Sequence, residues 1–377
     1  MLNLVCALIG MRPGELARPI SPVAVSAGLR CVRLKSAGVC AKKRTTGYDA
    51  AESSTSERPE MSSEVRVRVR SLAYRRIARL AVVKALLIVM LSCVLLAADR
   101  GDSGPTPPSL AAEPRWPIRA AFYYPWFPEG EHWATHYTPS LGKYDSSDSR
   151  VLATHVAQAR YAGLNAFISS YWGRGTPTAR RLPLLLDAAG RQGFHVAAYY
   201  EPESLPNPPS DSLLRQDFDL LYELTAQPAW LRVAGEPVLF VYNIGSEASC
   251  PAVRRLLAAN QGRFYLNLKV FPGYRDCPKQ PDSWHQYVPA DSYDHQGTDS
   301  ATVSPGFFKF DEVVPRLRRD PRRFEADLRR QVSSGARWQL VTSFNEWGEG
   351  TAVEPSQQWQ SPSGYGTYLD AMQSVYS

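Results

Sequence analysis

No GxSxG motif occurs in this 377-residue chain, which excludes the nucleophile elbow of serine esterases and peptidases. Of its six cysteines only Cys250 and Cys277 lie beyond residue 114. Neither stands in a CxxC pair or a metal-ligand spacing, so a zinc site is not supported. A glycine-rich phosphate loop is missing too: the first strand-like segment runs into Tyr123-Tyr124-Pro125-Trp126-Phe127-Pro128, where a doubly wound nucleotide fold would carry glycines. The body of the chain also lacks net charge. Residues 115–377 hold 26 Lys+Arg against 27 Asp+Glu, whereas residues 1–114 hold 17 against 9. The formal charge of +7 therefore belongs to the N-terminal part, and a body with no basic excess is not a nucleic-acid-binding core.

Residues 1–60 show no sustained period of 2 or 3.6 and read as disordered, or as sequence upstream of a start at Met61. Arg66, Arg68, Arg70, Arg75, Arg76 and Arg79 then form a basic run, completing an extension over 1–79. An apolar stretch follows over 80–98, broken only by Lys84. Its 14 uncharged residues from Ala85 to Ala98 suit a signal-peptide core and fall short of the roughly 20 of a full span. With Lys84 snorkelling, the whole stretch could serve as an uncleaved anchor. Both readings put the basic end in the cytoplasm and the body outside, with membrane contact only through this segment. A Pro/Gly-rich linker over 99–114 leads to the domain, 115–377. Outside the cytoplasm Cys250 and Cys277 could pair, or stay as two free thiols.

Those 263 residues match the roughly 250 of a (β/α)8 barrel. Strand-like runs at 118–127, 166–172, 196–200, 238–242, 264–270 and 338–344 alternate with helical stretches. The helices start at Ser149, Pro183, Ser210, Cys250-Pro251 and Asp320-Pro321. Such alternation implies a parallel sheet, and with no phosphate loop a barrel of the TIM type is preferred to an open sheet. Two further strands are expected within 283–308, where pattern alone does not separate them.

In such barrels the site forms where strands end. The strand ends here carry Tyr123, Tyr124 and Trp126; Trp172; Glu201 with Glu203; Tyr242; and Asn345-Glu346-Trp347-Gly348-Glu349, with Glu354 beyond. One aromatic at a strand end is ordinary core packing, but several beside hydrogen-bonding groups suit the C–H faces and hydroxyls of a neutral sugar. Glu346 and Glu349 would face opposite sides of an extended strand, so they converge only if the chain turns, which Gly348 and Gly350 permit. Two carboxylates on one cleft wall fit glycoside hydrolysis, one protonated and one ionised. A divalent cation is a competing use of the same side chains.

These residues carry a family resemblance. The segments 122–126 (Phe-Tyr-Tyr-Pro-Trp), Trp133, 139–146 (Pro-Ser-Leu-Gly-Lys-Tyr-Asp-Ser), Glu201-Pro202 and 344–351 (Phe-Asn-Glu-Trp-Gly-Glu-Gly-Thr) with Glu354 resemble glycoside hydrolase family 99, the endo-α-mannosidases and their bacterial relatives. The resemblance implies a (β/α)8 barrel that cleaves within α-mannosidic chains with retention and without a cofactor. It assigns Glu346 to assist the substrate's 2-hydroxyl as internal nucleophile, and Glu349 to act as general acid and then base. Glu201 matches a sugar-binding glutamate. Tyr123, Tyr124, Trp126, Trp172, Tyr242, Asn345, Trp347 and Glu354 are the other expected substrate-binding residues, and the enzyme is expected to act as a monomer on an oligo- or polysaccharide. The animal enzymes carry His where this chain has Gly348, which bears on mannan specificity. A non-hydrolytic carbohydrate-binding or polysaccharide-assembly protein on the same barrel is the alternative; it leaves the two glutamates three apart without a reason.

Overall fold

Strands in this chain are short runs of β-branched, aromatic and small residues, buried on both faces as a parallel sheet requires. A computed structural model of the chain describes residues 112–128, 133–202, 208–244 and 249–377, all within the compact unit Arg100–Ser377. The extension, the apolar stretch and nearly all of the linker expected before residue 115 lie outside the described residues, as does Glu203. In chain order the elements are β1 (Ile118–Tyr123), α1 (Ser149–Tyr161), β2 (Ala166–Tyr171), α2 (Pro177–Gly190), β3 (His195–Tyr200), α3 (Asp211–Leu224), β4 (Arg232–Val233) and β5 (Glu236–Val241). They continue with α4 (Cys250–Asn260), β6 (Tyr265–Lys269), β7 (Ser283–His285), β8 (Tyr293–His295), β9 (Ser300–Val303), α5 (Pro321–Ser333), β10 (Trp338–Val341) and α6 (Thr367–Tyr376).

The sheet runs β7-β6-β5-β3-β2-β1-β10-β9-β8, with β4 off its path against β5. Eight of the strands pair in parallel, while β4 and β8 are antiparallel additions. Because β1 pairs with both β2 and β10, the first and last parallel strands are neighbours, and the sheet curls. Across the seam between β7 and β9, Thr302 Oγ1 donates to the carbonyl of Gln286 at 2.8 Å and Ser304 Oγ to that of Pro289 at 2.9 Å. The result is an α/β fold around a curled, mostly parallel sheet, consistent with the expected TIM-type barrel.

Two expectations change in detail. Residues 283–308 hold β7 and β9 as the two parallel strands, but also β8, and they are only three and four residues long, too short for periodicity to register. The second helix starts at Pro177, with Thr176 capping it through Ala179 N, and Pro183 lies inside it. Pro183 lacks only one backbone donor, and Leu182, Leu185, Leu186 and Ala189 on one buried stripe carry the helix past it. The cysteine question is settled by geometry: Cys250 and Cys277 form a disulfide between the start of α4 and the turn after β6.

Period-two alternation divides the core into two layers. One parity (Phe122, Ile168, Tyr199, Phe240, Trp338, Leu340) packs inside the curl, with Phe122 against Tyr199 at 4.8 Å and Phe240 against Trp338 at 5.0 Å between ring centroids. The other parity (Ala121, Tyr123, Phe167, Tyr200, Val241, Leu268) packs outward against Leu152, Val156, Leu182 and Phe218 of the helices. The inward parity, continued past each strand end, lines the site.

Candidate active site

Extending the inward rows beyond the strand ends brings together Tyr124 after β1, Glu201 after β3, Tyr242 after β5, Lys269 closing β6 and Tyr287 after β7. With Trp126, Glu346 and Glu349 they line a cavity of about 380 Å³, which Gln286, Val288 and Pro289 complete. Trp172 packs beside Trp126, their ring centroids 5.4 Å apart.

The turn after β10 delivers both glutamates. Ser343 Oγ accepts from Glu346 N at 2.8 Å, Thr351 N donates to the Glu346 carbonyl at 3.2 Å, and Gly350 N to that of Trp347 at 3.1 Å. This closes the chain on itself and puts Glu346 and Glu349 on one wall. Gly350 has a φ of +65°, and a Cβ there would meet the Phe308 carbonyl oxygen at 2.7 Å, so the turn requires glycine at that position. Gly348 was expected to serve likewise, but its backbone is not left-handed; a Cβ there would instead crowd Glu346 Oε1 at 3.2 Å.

Glu346 is only 4% exposed, and its carboxylate accepts from the backbone N–H groups of Gly348 and Glu349. Burial, then the neighbouring Glu349 charge, holds its pKa well above the usual carboxylate range, while the two N–H donors pull the other way. Tyr287 donates its hydroxyl to Glu349 Oε2 at 3.2 Å, and Ser170 donates to Glu201 Oε2. Burial and the glutamates keep the Tyr287 phenol protonated as a donor.

Four expected sugar contacts stand behind the cavity wall instead. Asn345 grips the backbone of Tyr124 from both sides, accepting from its N at 2.8 Å and donating to its carbonyl at 3.0 Å, which ties the first strand end to the turn that carries Glu346 and Glu349. Glu354 accepts from Tyr144 OH at 2.8 Å and Trp347 Nε1 at 3.0 Å, and meets His155 Nε2 at 3.2 Å. Tyr123 has the outward parity, and its hydroxyl pairs with His155 Nδ1 at 3.0 Å. The motif thus supplies two residues that face the cavity and three, with Glu354, that hold them.

Lys269, Gln286 and Tyr287 were missed by sequence reasoning. The signal for Tyr287 was its parity with Ser283 and His285 on a strand too short to recognise. Among the described residues no group of three His, Cys, Asp or Glu side chains is placed to hold a metal ion.

Residues 120–264 match the family described as glycosyl hydrolase family 99. The mouse (Mus musculus) glycoprotein endo-alpha-1,2-mannosidase is 23% identical over 290 residues, 63% of this chain and 61% of that protein. A zebrafish (Danio rerio) glycoprotein endo-alpha-1,2-mannosidase-like protein is 29% identical over 100 residues, 24% of this chain and 22% of the relative. The chain thus spans about three fifths of the mouse protein's length. The solved structure of a GH99 endo-alpha-mannosidase from Bacteroides thetaiotaomicron shares the fold, with a TM-score of 0.56 at 20% identity over 70% of this chain and 96% of that one. A structure described as a glycoside hydrolase-like protein gives 0.53 at 17% identity, over 73% and 97%.

Proposed function

We propose that the chain is a glycoside hydrolase of glycosyl hydrolase family 99, the family that residues 120–264 match, and that it cleaves within α-mannoside-like glycans with retention of configuration. Its fold in this reading is a closed (β/α)8 barrel. The single observation that carries the reading is the turn that sets Glu346 and Glu349 on one wall of a cavity walled elsewhere by Tyr124, Trp126 and Tyr242.

In the first step the substrate's 2-hydroxyl oxygen attacks C1 while Glu346 takes its proton. The bond from C1 to the glycosidic oxygen breaks, and that oxygen takes a proton from Glu349, leaving a 1,2-anhydro sugar. Water then opens the three-membered ring at C1. Glu349 receives the water proton, and Glu346 returns its proton to O2. Two inversions at C1 give net retention. The resting electrostatics run the other way, since burial and the Glu349 charge favour a protonated Glu346, so the base step needs a pH at which Glu346 is ionised. The N–H groups of Gly348 and Glu349 hold Glu346 as an acceptor, and Tyr287 steadies Glu349 between its acid and base states.

The same reading has the domain exported and acting as a monomer, secreted or held by the apolar segment 80–98. The arginines before that segment support export, and a paired Cys250–Cys277 fits an oxidising compartment.

Release of oligosaccharide from α-mannans is the test. Glu349→Gln and Glu346→Gln are each expected to lose about 10²–10⁴-fold in kcat/KM while keeping the fold by circular dichroism. Full turnover in either variant, or hydrolysis of a 2-deoxy substrate, refutes the assignment. Sugar binding by the wild type without any cleavage favours the non-hydrolytic alternative.

A further inference from the structure

Among the described residues Lys269 is the one ammonium on the wall of the cavity. It closes β6, two strands from Glu201 in the sheet order and separated by β7 and β9 from the strand that leads into the catalytic turn. Among the described residues no carboxylate lies within ion-pair distance of it. Its Nζ instead sits 3.8 Å from the ring centroid of Phe271 and 4.8 Å from that of Tyr242, a pair of aromatic faces that steady a cation without neutralising it. The carboxylate whose field it chiefly feels is Asp294, on the antiparallel strand β8 and outside ion-pair distance. Beneath it, His285 is occupied by Tyr199 OH at 3.0 Å and Asn267 Oδ1 at 2.9 Å, and burial together with the Lys269 charge keeps that imidazole neutral.

A desolvated ammonium with no carboxylate within ion-pair distance among the described residues is costly in a cavity that offers it only neutral hydroxyls. Burial brings its pKa down to about 8, so it carries its charge at neutral pH while remaining under-solvated. A ligand that brings its own anion removes that cost.

We propose that Lys269 recognises an anionic substituent, a carboxylate or a phosphate or sulfate ester, on the sugar ring bound beside Tyr242. The substrate class is thereby narrowed to acidic glycans, while Glu346 and Glu349 act on the neutral linkage at the other side of the cavity. This rests on the glycosidase reading for the reaction but not for the binding, and the two are tested separately.

The binding test titrates the full-length protein calorimetrically with methyl α-mannopyranoside and with its 6-phosphate, 6-sulfate and C6-carboxylate counterparts. At least one anionic probe is expected to bind ten-fold or more tighter than the neutral one, and the three arms identify which anion fits. Lys269→Met, which keeps the packing on Phe271 and Tyr242, is expected to bring the anionic-to-neutral ratio to about one. Lys269→Arg is expected to retain a preference. Equal or weaker binding of all three anions by the wild type overturns the proposal, as does a Lys269→Met variant that weakens neutral and anionic probes alike. Absence of hydrolysis with the anionic preference intact counts against the glycosidase reading and leaves the recognition standing.

Discussion

Tyr287 and Tyr123 are both buried phenols, yet strand parity gives them different work. Tyr287 reaches Glu349, so Tyr287→Phe removes a hydrogen bond to the proposed acid/base and is expected to lower kcat about ten-fold, as loss of about 1–2 kcal/mol implies, with little change in melting temperature. Tyr123→Phe leaves His155 Nδ1 without its partner, which is expected to cost about 1–3 kcal/mol of stability with KM unchanged. Kinetics and thermal melts of both variants check this; a raised KM and an unaltered melt for Tyr123→Phe would return that residue to the sugar. The parity was available in the sequence, since adjacent residues 123 and 124 on one strand cannot both face the cavity. The pH profile is the second residue-scale consequence. In the proposed mechanism Glu346 must be ionised to take the 2-hydroxyl proton, so activity is expected to fall as pH drops through its pKa. Because burial and Glu349 raise that pKa, the acidic limb of kcat/KM is expected above 4.5, the ordinary value. In Glu349→Gln, assayed on an aryl glycoside whose leaving group needs no acid, the second cause is gone and the limb is expected to move to lower pH. An acidic limb that stays put in that variant contradicts the coupling.

At the scale of one element, the turn over 343–351 shows what a motif does and does not disclose. That Glu346 and Glu349 converge follows from their spacing and the need for a turn. Which glycine makes the turn does not, because the reason lies in Phe308, a residue some forty positions earlier whose carbonyl faces Gly350 and whose N–H binds the Glu349 carbonyl at 2.8 Å. Gly350→Ala is expected to cost at least about 1–2 kcal/mol from the left-handed backbone alone and to reduce kcat/KM as Glu349 shifts. Gly348→Ala places its methyl against Glu346 Oε1 without backbone strain, so it is expected to lower kcat with a nearly unchanged melt. Comparing the two variants by melting and turnover separates strain from crowding; equal melts would show that the turn does not need its left-handed residue. Asn345, Trp347 and Glu354 read as sugar contacts because they sit in the same motif. Only side-chain geometry reveals them as the braces behind it.

For the whole domain, the alternation of strands and helices and the near-zero net charge were legible because they are sums over many residues. The strands at the seam were not: β7 and β9 are three and four residues long, and the side-chain hydrogen bonds between their ends leave no periodic trace. Nor does a body charge near zero describe the cavity, where, among the described residues, three carboxylates and one ammonium line a space of about 380 Å³. The disulfide is a property of this scale, since it ties the start of α4 to the turn after β6 across 27 residues. Cross-linking a loop of that length restricts the unfolded chain by about 3–4 kcal/mol in the entropy model, and neither cysteine lines the cavity. The double variant Cys250→Ala/Cys277→Ala is therefore expected to melt roughly 10 °C lower, at about 2–4 °C per kcal/mol for a domain of this size. Its kcat/KM at low temperature is expected to match the wild type, because the strands that position Glu346, Glu349 and Glu201 are held by the sheet. Thermal melts with and without reductant, paired with turnover, decide the point. An unchanged melt would mean the two thiols are not bonded in the folded protein. A large loss of turnover at low temperature would mean that the loop after β6, which begins beside Lys269, needs the cross-link to shape the cavity.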